Sequence, residues 1–348
     1  MTGRCHPNGP APANPGLPAL ERKLTRGAHS GGLQCHRRDG SLPRVRPAAT
    51  SYRLVDWVTQ GYLLLVAFVA VGCHRGPWLI LVGGHVATLL GVHLLVRSQA
   101  YLANFHGWRW LRDFYPILLL FGLYSETLVI NRLLGLPRID PWLIAADERL
   151  FGCQPAEAMM ATFSRPWFSE LMHLSYLSFY LMVGVLGFWL SLRNRPAFGH
   201  FVTVVACAFY ACYGTYLFVP AVGPRILYQD SPERSAFTLR HGHAPRGVPA
   251  TVEAGPCYRV LDVIERHAEI AGAAFPSSHV ALGLVTAWFS WRYLRVVRWL
   301  HLAFALSICL STVYTRAHYG VDVLAGLATA GILFSLTQWA YRRWGWTE

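Results

Sequence analysis

Apolar and polar positions segregate into long blocks. Past residue 53 the chain repeats apolar stretches, each close to the ~20 residues that a helix needs to cross a bilayer. Eight blocks stand out: roughly 54–72, 77–96, 114–134, 168–191, 197–219, one starting near Pro276, 296–314 and 321–341. Pro77 opens the second, and Glu126 lies inside the third. The intervening segments differ in kind. Residues 97–112 mix Trp, Phe and Arg, a composition that predicts a segment lying at the membrane interface. Residues 135–167 are amphipathic and interrupted by prolines, which predicts a short surface or re-entrant helix. Residues 220–274 form a long polar loop, and residues 1–53 are rich in Pro, Gly, Ala and Arg. That first stretch has no sustained apolar period and no signal-peptide core, so it is expected to be a disordered basic tail. No internal repeat is visible. The pattern predicts an all-α, polytopic membrane helical bundle of about eight transmembrane helices.

Composition agrees with the pattern. Hydrophobic residues make up 53% and charged residues 14%, where a soluble domain carries about 25% charged. A membrane β-barrel would show short alternating segments instead. The net charge of +13 is almost entirely arginine. In a soluble chain that would suggest nucleic acid; here the arginines fall between apolar blocks, so topology accounts for them and no nucleic-acid partner is expected. Following the chain through eight crossings places Arg97, Arg109, Arg112, Arg193, Arg195, Arg292, Arg295, Arg298, Arg342 and Arg343 on the side of the basic tail. Asp140, Asp147, Glu148 and Glu157 fall on the other. The positive-inside rule then puts both termini in the cytoplasm, with His74 and Arg75 as outward exceptions. Arginine with almost no lysine suggests a GC-rich bacterial genome, hence a bacterial inner membrane. The eight cysteines contain no C-x-x-C pair, so no zinc site is signalled. Cys153 and Cys257 both fall in outer loops, where an oxidising compartment would permit a disulfide.

Two motifs carry chemistry: F-P-S-S-H at Phe275–His279 and T-R-A-H-Y-G-V-D at Thr315–Asp322. On a helix, His318 and Asp322 would share a face, so that the carboxylate holds one imidazole nitrogen and leaves the other as nucleophile or base. Arg316 adds donors suited to phosphate oxygens, and His279 adds a second imidazole just after a Pro-Ser-Ser helix start. The two histidines are 39 residues apart, about two crossings. Both therefore fall on the same extracytoplasmic face, together with Arg225 of the preceding loop. Two histidines, a carboxylate and arginines point to phosphoryl transfer with neither metal nor cofactor. The plainer alternatives are a buried hydrogen-bonded pair for His318 and Asp322, a polar helix start for His279, and headgroup or topology roles for Arg225 and Arg316. Glu126 is either a substrate-site group or a partner within the bundle. His85, His93, His173 and His200 sit at no ligand spacing and read as structural. A non-catalytic transporter or scaffold, and a metal-dependent hydrolase using His279, His318 and Asp322 as ligands, are the rival classes.

F-P-S-S-H and S-T-V-Y-T-R-A-H-Y-G-V-D-V-L-A-G resemble the second and third signatures of the type-2 phosphatidic acid phosphatase superfamily. P-A-V-G-P-R, ending in Arg225, resembles the first signature of its inositolphosphotransferase branch, which includes inositol phosphorylceramide synthases. The resemblance covers roughly residues 110–341. It implies a lipid phosphatase or phosphotransferase with a six-helix catalytic core in a membrane domain spanning 113–343, preceded at 54–112 by two extra helices and the interfacial segment. His318 would attack phosphorus, and Asp322 would orient it. His279 would protonate the leaving oxygen and then activate an alcohol acceptor or water. Arg225 and Arg316 would hold the phosphoryl oxygens of a membrane lipid phosphate, with backbone N–H groups at Ser277 and Ser278 adding to the anion site. Thr312 stands where the third signature usually has arginine, and Gly223-Pro224-Arg225 replaces the usual lysine and Arg-Pro pair. Arg316, four residues after Thr312, is expected to take over the missing contact from the same helix face.

Overall fold

The computed structural model describes residues 52–74, 76–102, 104–268 and 272–344. The basic tail up to residue 51, and Arg75, lie outside the described residues. The described chain is helical: α1 (Leu54–Cys73), α2 (Trp78–Leu102), α3 (His106–Leu134), α4 (Asp140–Phe151), α5 (Pro155–Thr162), α6 (Pro166–Arg193) and α7 (Arg195–Phe218) come first. A 3-10 turn (Pro224–Tyr228) follows, then α8 (Pro232–His241), α9 (Ala250–Glu253), α10 (Pro256–Ala268), α11 (Ser278–Tyr293), α12 (Arg298–Tyr314) and α13 (Gly320–Trp344).

Helices α1, α2, α3, α6, α7 and α13 are long and apolar enough to cross a membrane. The other two expected spans are present but short. α11 has 16 residues and α12 has 17, or about 24–26 Å of helix against the ~30 Å hydrocarbon core. Their missing turns are those occupied by the two histidine motifs. α11 packs against α6, α7, α12 and α13, and its Leu282, Val285 and Phe289 are buried in the main core with Phe201 and Ile308. Large apolar side chains such as Phe68, Ile80, Leu181, Phe188 and Ile332 instead point outward and stay exposed, the inverse of a soluble surface.

Residues 97–112 form no helix of their own. α2 continues to Leu102 and α3 begins at His106. Arg112 is buried because Asp56 of α1 neutralises it, accepting from Nη1 at 2.8 Å and also from Nη2 and the Tyr115 hydroxyl. Asp113 joins Arg53, just before α1, to Arg195, which opens α7. The starts of α1, α3 and α7 therefore share one end of the bundle. Glu126 pairs with His85 of α2 at 3.3 Å, so of its two expected roles the structure has the bundle partner. At the opposite end, 135–167 folds as α4 and α5, and the polar loop folds as the 3-10 turn with α8, α9 and α10. Cys153 and Cys257 are both free thiols.

Candidate active site

Three segments interlock at the end of the bundle opposite Asp113. After α7 the chain turns through Ala221, whose N–H donates to the Gly272 carbonyl (3.3 Å) and whose carbonyl accepts from Ala274 N–H (2.9 Å). The Ala274 carbonyl lies 2.8 Å from His318 Nδ1. Ser277 N–H donates to the Asp322 carbonyl at 3.1 Å. Two glycines permit this closeness. Gly223 has φ of 96°, and a Cβ there would lie 2.5 Å from the Ala317 carbonyl oxygen; a Cβ on Gly326 would lie 2.6 Å from the Ser277 oxygen. Backbone thus packs on backbone where the motifs meet.

The two histidines are brought together. His279, the second residue of α11, places Nδ1 3.2 Å from His318 Nε2. Its ring rests against Tyr176 and Phe179 of α6, with centroids 4.7 Å away in each case. His318 is not on a helix. α12 ends at Tyr314, and the Thr312 carbonyl accepts the N–H groups of Ala317 and His318 in a tight turn. α13 begins only at Gly320. Asp322 is fully buried, and its Oδ2 approaches His318 Nδ1 at 3.5 Å while accepting Tyr319 N–H at 2.9 Å. The nearer partner of Nδ1 is the Ala274 carbonyl. A carbonyl can only accept, so Nδ1 carries the proton; in the neutral ring Nε2 is then the lone pair, facing His279.

Arg225 sits in the 3-10 turn, its Nη2 3.5 Å from Glu265 Oε1 of α10. Arg316 is not on the Thr312 face, because the helix has ended and Arg316 adopts φ of 64°. Its Nη2 donates to the carbonyls of Arg246 (2.9 Å) and Gly247 (3.3 Å), and its guanidinium lies 3.7 Å from the Tyr228 ring centroid. Burial lowers the Arg316 pKa from its ordinary value, opposed by the nearby Tyr228 and Glu157. Tyr228 belongs to the same short turn as Arg225, so one turn carries Arg225 and touches Arg316. Ser277 N–H is already taken by the Asp322 carbonyl and is not open to an anion, while the Ser277 hydroxyl caps α11 by accepting from Val280 N–H. Ser278 opens that helix.

α4 lies within the expected short helix of 135–167, but its two acids read from the sequence only as outer-side charges. Asp140 and Asp147 are buried and lie seven residues apart, two turns on one face. Asp140 accepts N–H bonds from Val222 and Gly223 and the Tyr319 hydroxyl at 3.0–3.1 Å. Asp147 accepts the N–H groups of Gly320 and Val321 at 2.9 Å, capping α13. Burial pushes both carboxyls above the usual carboxylate range, against these hydrogen bonds. A pair of acids at helical spacing in D-P-W-L-I-A-A-D was the available signal. Among the described residues, no group of three or more His, Cys, Asp or Glu side chains is arranged to hold a metal ion.

Comparison with curated proteins gave no match, and comparison with solved structures gave none. The family model of the PAP2 superfamily matches residues 141–336, more than half of the chain. That span takes in most of α4, the arginine turn and both histidine motifs. The chain belongs to the PAP2 superfamily, and its six long apolar helices make it a multi-pass membrane protein of that phosphatase type.

Proposed function

We propose that this protein is an integral membrane lipid phosphatase or phosphotransferase that works through a phosphohistidine, without metal, on the extracytoplasmic face. The observation that carries the reading is the His279–His318 pair at 3.2 Å, with His318 Nδ1 held by the Ala274 carbonyl. A phosphoryl group entering between the rings meets the Nε2 lone pair of His318. A P–N bond forms as the P–O bond to the leaving group breaks, and His279 gives that oxygen its proton. His279, now neutral, takes a proton from the incoming water or alcohol; a new P–O bond forms and the P–N bond breaks. Arg225 and Arg316 supply fixed positive charge for the equatorial oxygens, and the α11 amides near Ser278 add a helix N-terminus. Asp322 steadies the imidazolium character that develops on His318.

Water as acceptor gives a phosphatase; an alcohol gives a transferase. Gly223-Pro224-Arg225 in the first motif and Thr312 in the third favour a transferase of the inositol phosphorylceramide synthase type. The orientation, with termini in the cytoplasm, rests on the distribution of arginines. The test is product formation by purified protein in detergent with excess chelator. It is supplied with lipid phosphates and phospholipids, with and without inositol or ceramide, beside His318→Ala. Chelator-resistant activity that vanishes in the variant is expected, with an inositol- or ceramide-linked product. Phosphate release alone would make it a phosphatidate or polyprenyl-pyrophosphate phosphatase. Activity that needs metal or survives in the variant would remove His318 as nucleophile. No turnover of any substrate would leave the non-catalytic transporter or scaffold.

A further inference from the structure

Helix α10 covers the site. Its Leu261 is buried in a cluster with Tyr176 and Ala317, and its Tyr258 meets the His173 ring edge-on at 5.3 Å. Tyr176 is the ring on which His279 rests. Glu265 stands one turn beyond Leu261, on the same face of α10. There it meets Arg225, and the two side chains are 23% and 22% exposed. Carboxylate and phosphoryl oxygens compete for the same guanidinium fork. A carboxylate fixed to a helix is present at high effective concentration, so it weakens the binding of every anion that needs this arginine.

We propose that Glu265 is a specificity-determining residue: its carboxylate occupies on Arg225 the place of a phosphoryl oxygen, and an incoming phosphate ester must displace it. This rests on the assignment of Arg225 to the phosphate. The consequence is selective. Singly charged, weakly held anions lose the contest, and a phosphate ester held also by Arg316 and the α11 amides wins it.

The experiment uses the full chain in detergent with Glu265→Gln, which preserves shape and removes charge. The probe is inorganic phosphate, followed both by thermal protection and as an inhibitor of lipid phosphate turnover. The phosphate concentration for half-protection and the KM should both fall, by about three- to tenfold, with kcat little changed. Unchanged or weaker phosphate binding overturns the proposal. So does a fall in kcat at constant KM, which would make Glu265 a support for Arg225 or for the chemistry. Arg225→Gln separates the underlying assignment. Loss of phosphate protection in that variant is expected, whereas protection equal to wild type means that Arg225 does not hold phosphate.

Discussion

Asp56 and Asp322 are both fully buried and sit at opposite ends of the bundle, yet their surroundings differ. Asp56 is enclosed by donors: Arg53 N–H at 2.6 Å, both terminal nitrogens of Arg112 and the Tyr115 hydroxyl. Asp322 accepts Tyr319 N–H on Oδ2 and stands 3.5 Å from His318, while its Oδ1 has no hydrogen-bond partner among the described residues. A buried charge that is fully answered stabilises a helix contact. One that is partly answered beside an imidazole is held ready for charge that appears during a reaction. On the proposed mechanism Asp56 secures the fold and Asp322 serves the chemistry, a division that can be tested variant by variant.

The largest effect belongs to His318. His318→Ala should cost at least ~10³-fold in kcat, since no neighbouring group can take its place as nucleophile. The thermal midpoint in detergent should stay near wild type. A variant retaining a tenth of the activity would end the phosphohistidine reading.

The comparison itself is tested by Asp322→Asn against Asp56→Asn. In a triad whose carboxylate alone fixes the tautomer, its amide variant loses about 10⁴-fold. Here the Ala274 carbonyl already holds Nδ1–H at 2.8 Å. The expected loss for Asp322→Asn is therefore smaller, about 10–100-fold in kcat, as for supporting partners elsewhere. Asp56→Asn should do the reverse. It leaves Arg112 buried with a weakened partner and destabilises by roughly 3–5 kcal/mol, with kcat per folded molecule unchanged. If both variants lost activity without losing stability, the division between the two ends would be wrong.

The sequence revealed the helices better than their ends. Long apolar blocks placed the six helices long enough to cross a bilayer and the shorter α11 and α12 between them, because a crossing needs a run that no short-range feature can imitate. It misplaced His318 on a helix, since T-R-A-H-Y-G contains no proline and Gly320 falls at a helix start, not at a stop. What ends α12 is the Thr312 carbonyl taking two N–H groups and the left-handed Arg316, and the latter is held by carbonyls 69 and 70 residues away in sequence. The pairing of the two histidines was legible because each motif has its own local signature. The spacing of Asp140 and Asp147 hinted at a shared face, but the partners Val222 and Gly223, and the Arg225–Glu265 pair, are non-local and not legible in any single stretch. Arg112 reads as interfacial from its Trp-rich neighbours; only the partner on α1 makes it a buried residue.

Gly326→Ala probes how the active end is held. Its Cβ would meet the Ser277 oxygen at 2.6 Å and Val280 Cβ at 3.0 Å, forcing apart the first turns of α11 and α13 and with them His279 and His318. Crowding of this kind costs about 1–3 kcal/mol, and a shift of a few tenths of an ångström between the rings should lower kcat about tenfold. Gly331→Ala, on the same helix with nothing within 4 Å of its Cβ, should be silent in both measurements. Equal behaviour of the two variants would show that the close approach does not position the histidines.

A third acid belongs to neither class and gives the smallest effect. Glu148 of α4 accepts from Arg240 at 2.9 Å, His241 at 3.0 Å and Gln154 at 3.2 Å. Burial raises its pKa, but the bonds from His241, Gln154 and Arg240 outweigh that, and the net position is below the ordinary glutamate value. A folded value below the unfolded one means that the unfolded chain binds the proton more readily. The carboxylate therefore stabilises above the ordinary value of about 4.3, and that contribution is lost as pH falls through the lower folded value. Arg240 is 61% exposed, so solvent screens the pair and the gain is under about 1 kcal/mol. Glu148→Gln should lower the thermal midpoint slightly at pH 7 and by progressively less as the pH is taken below about 4. A deficit that does not change with pH would mean that shape or hydrogen bonding at this position matters and its charge does not.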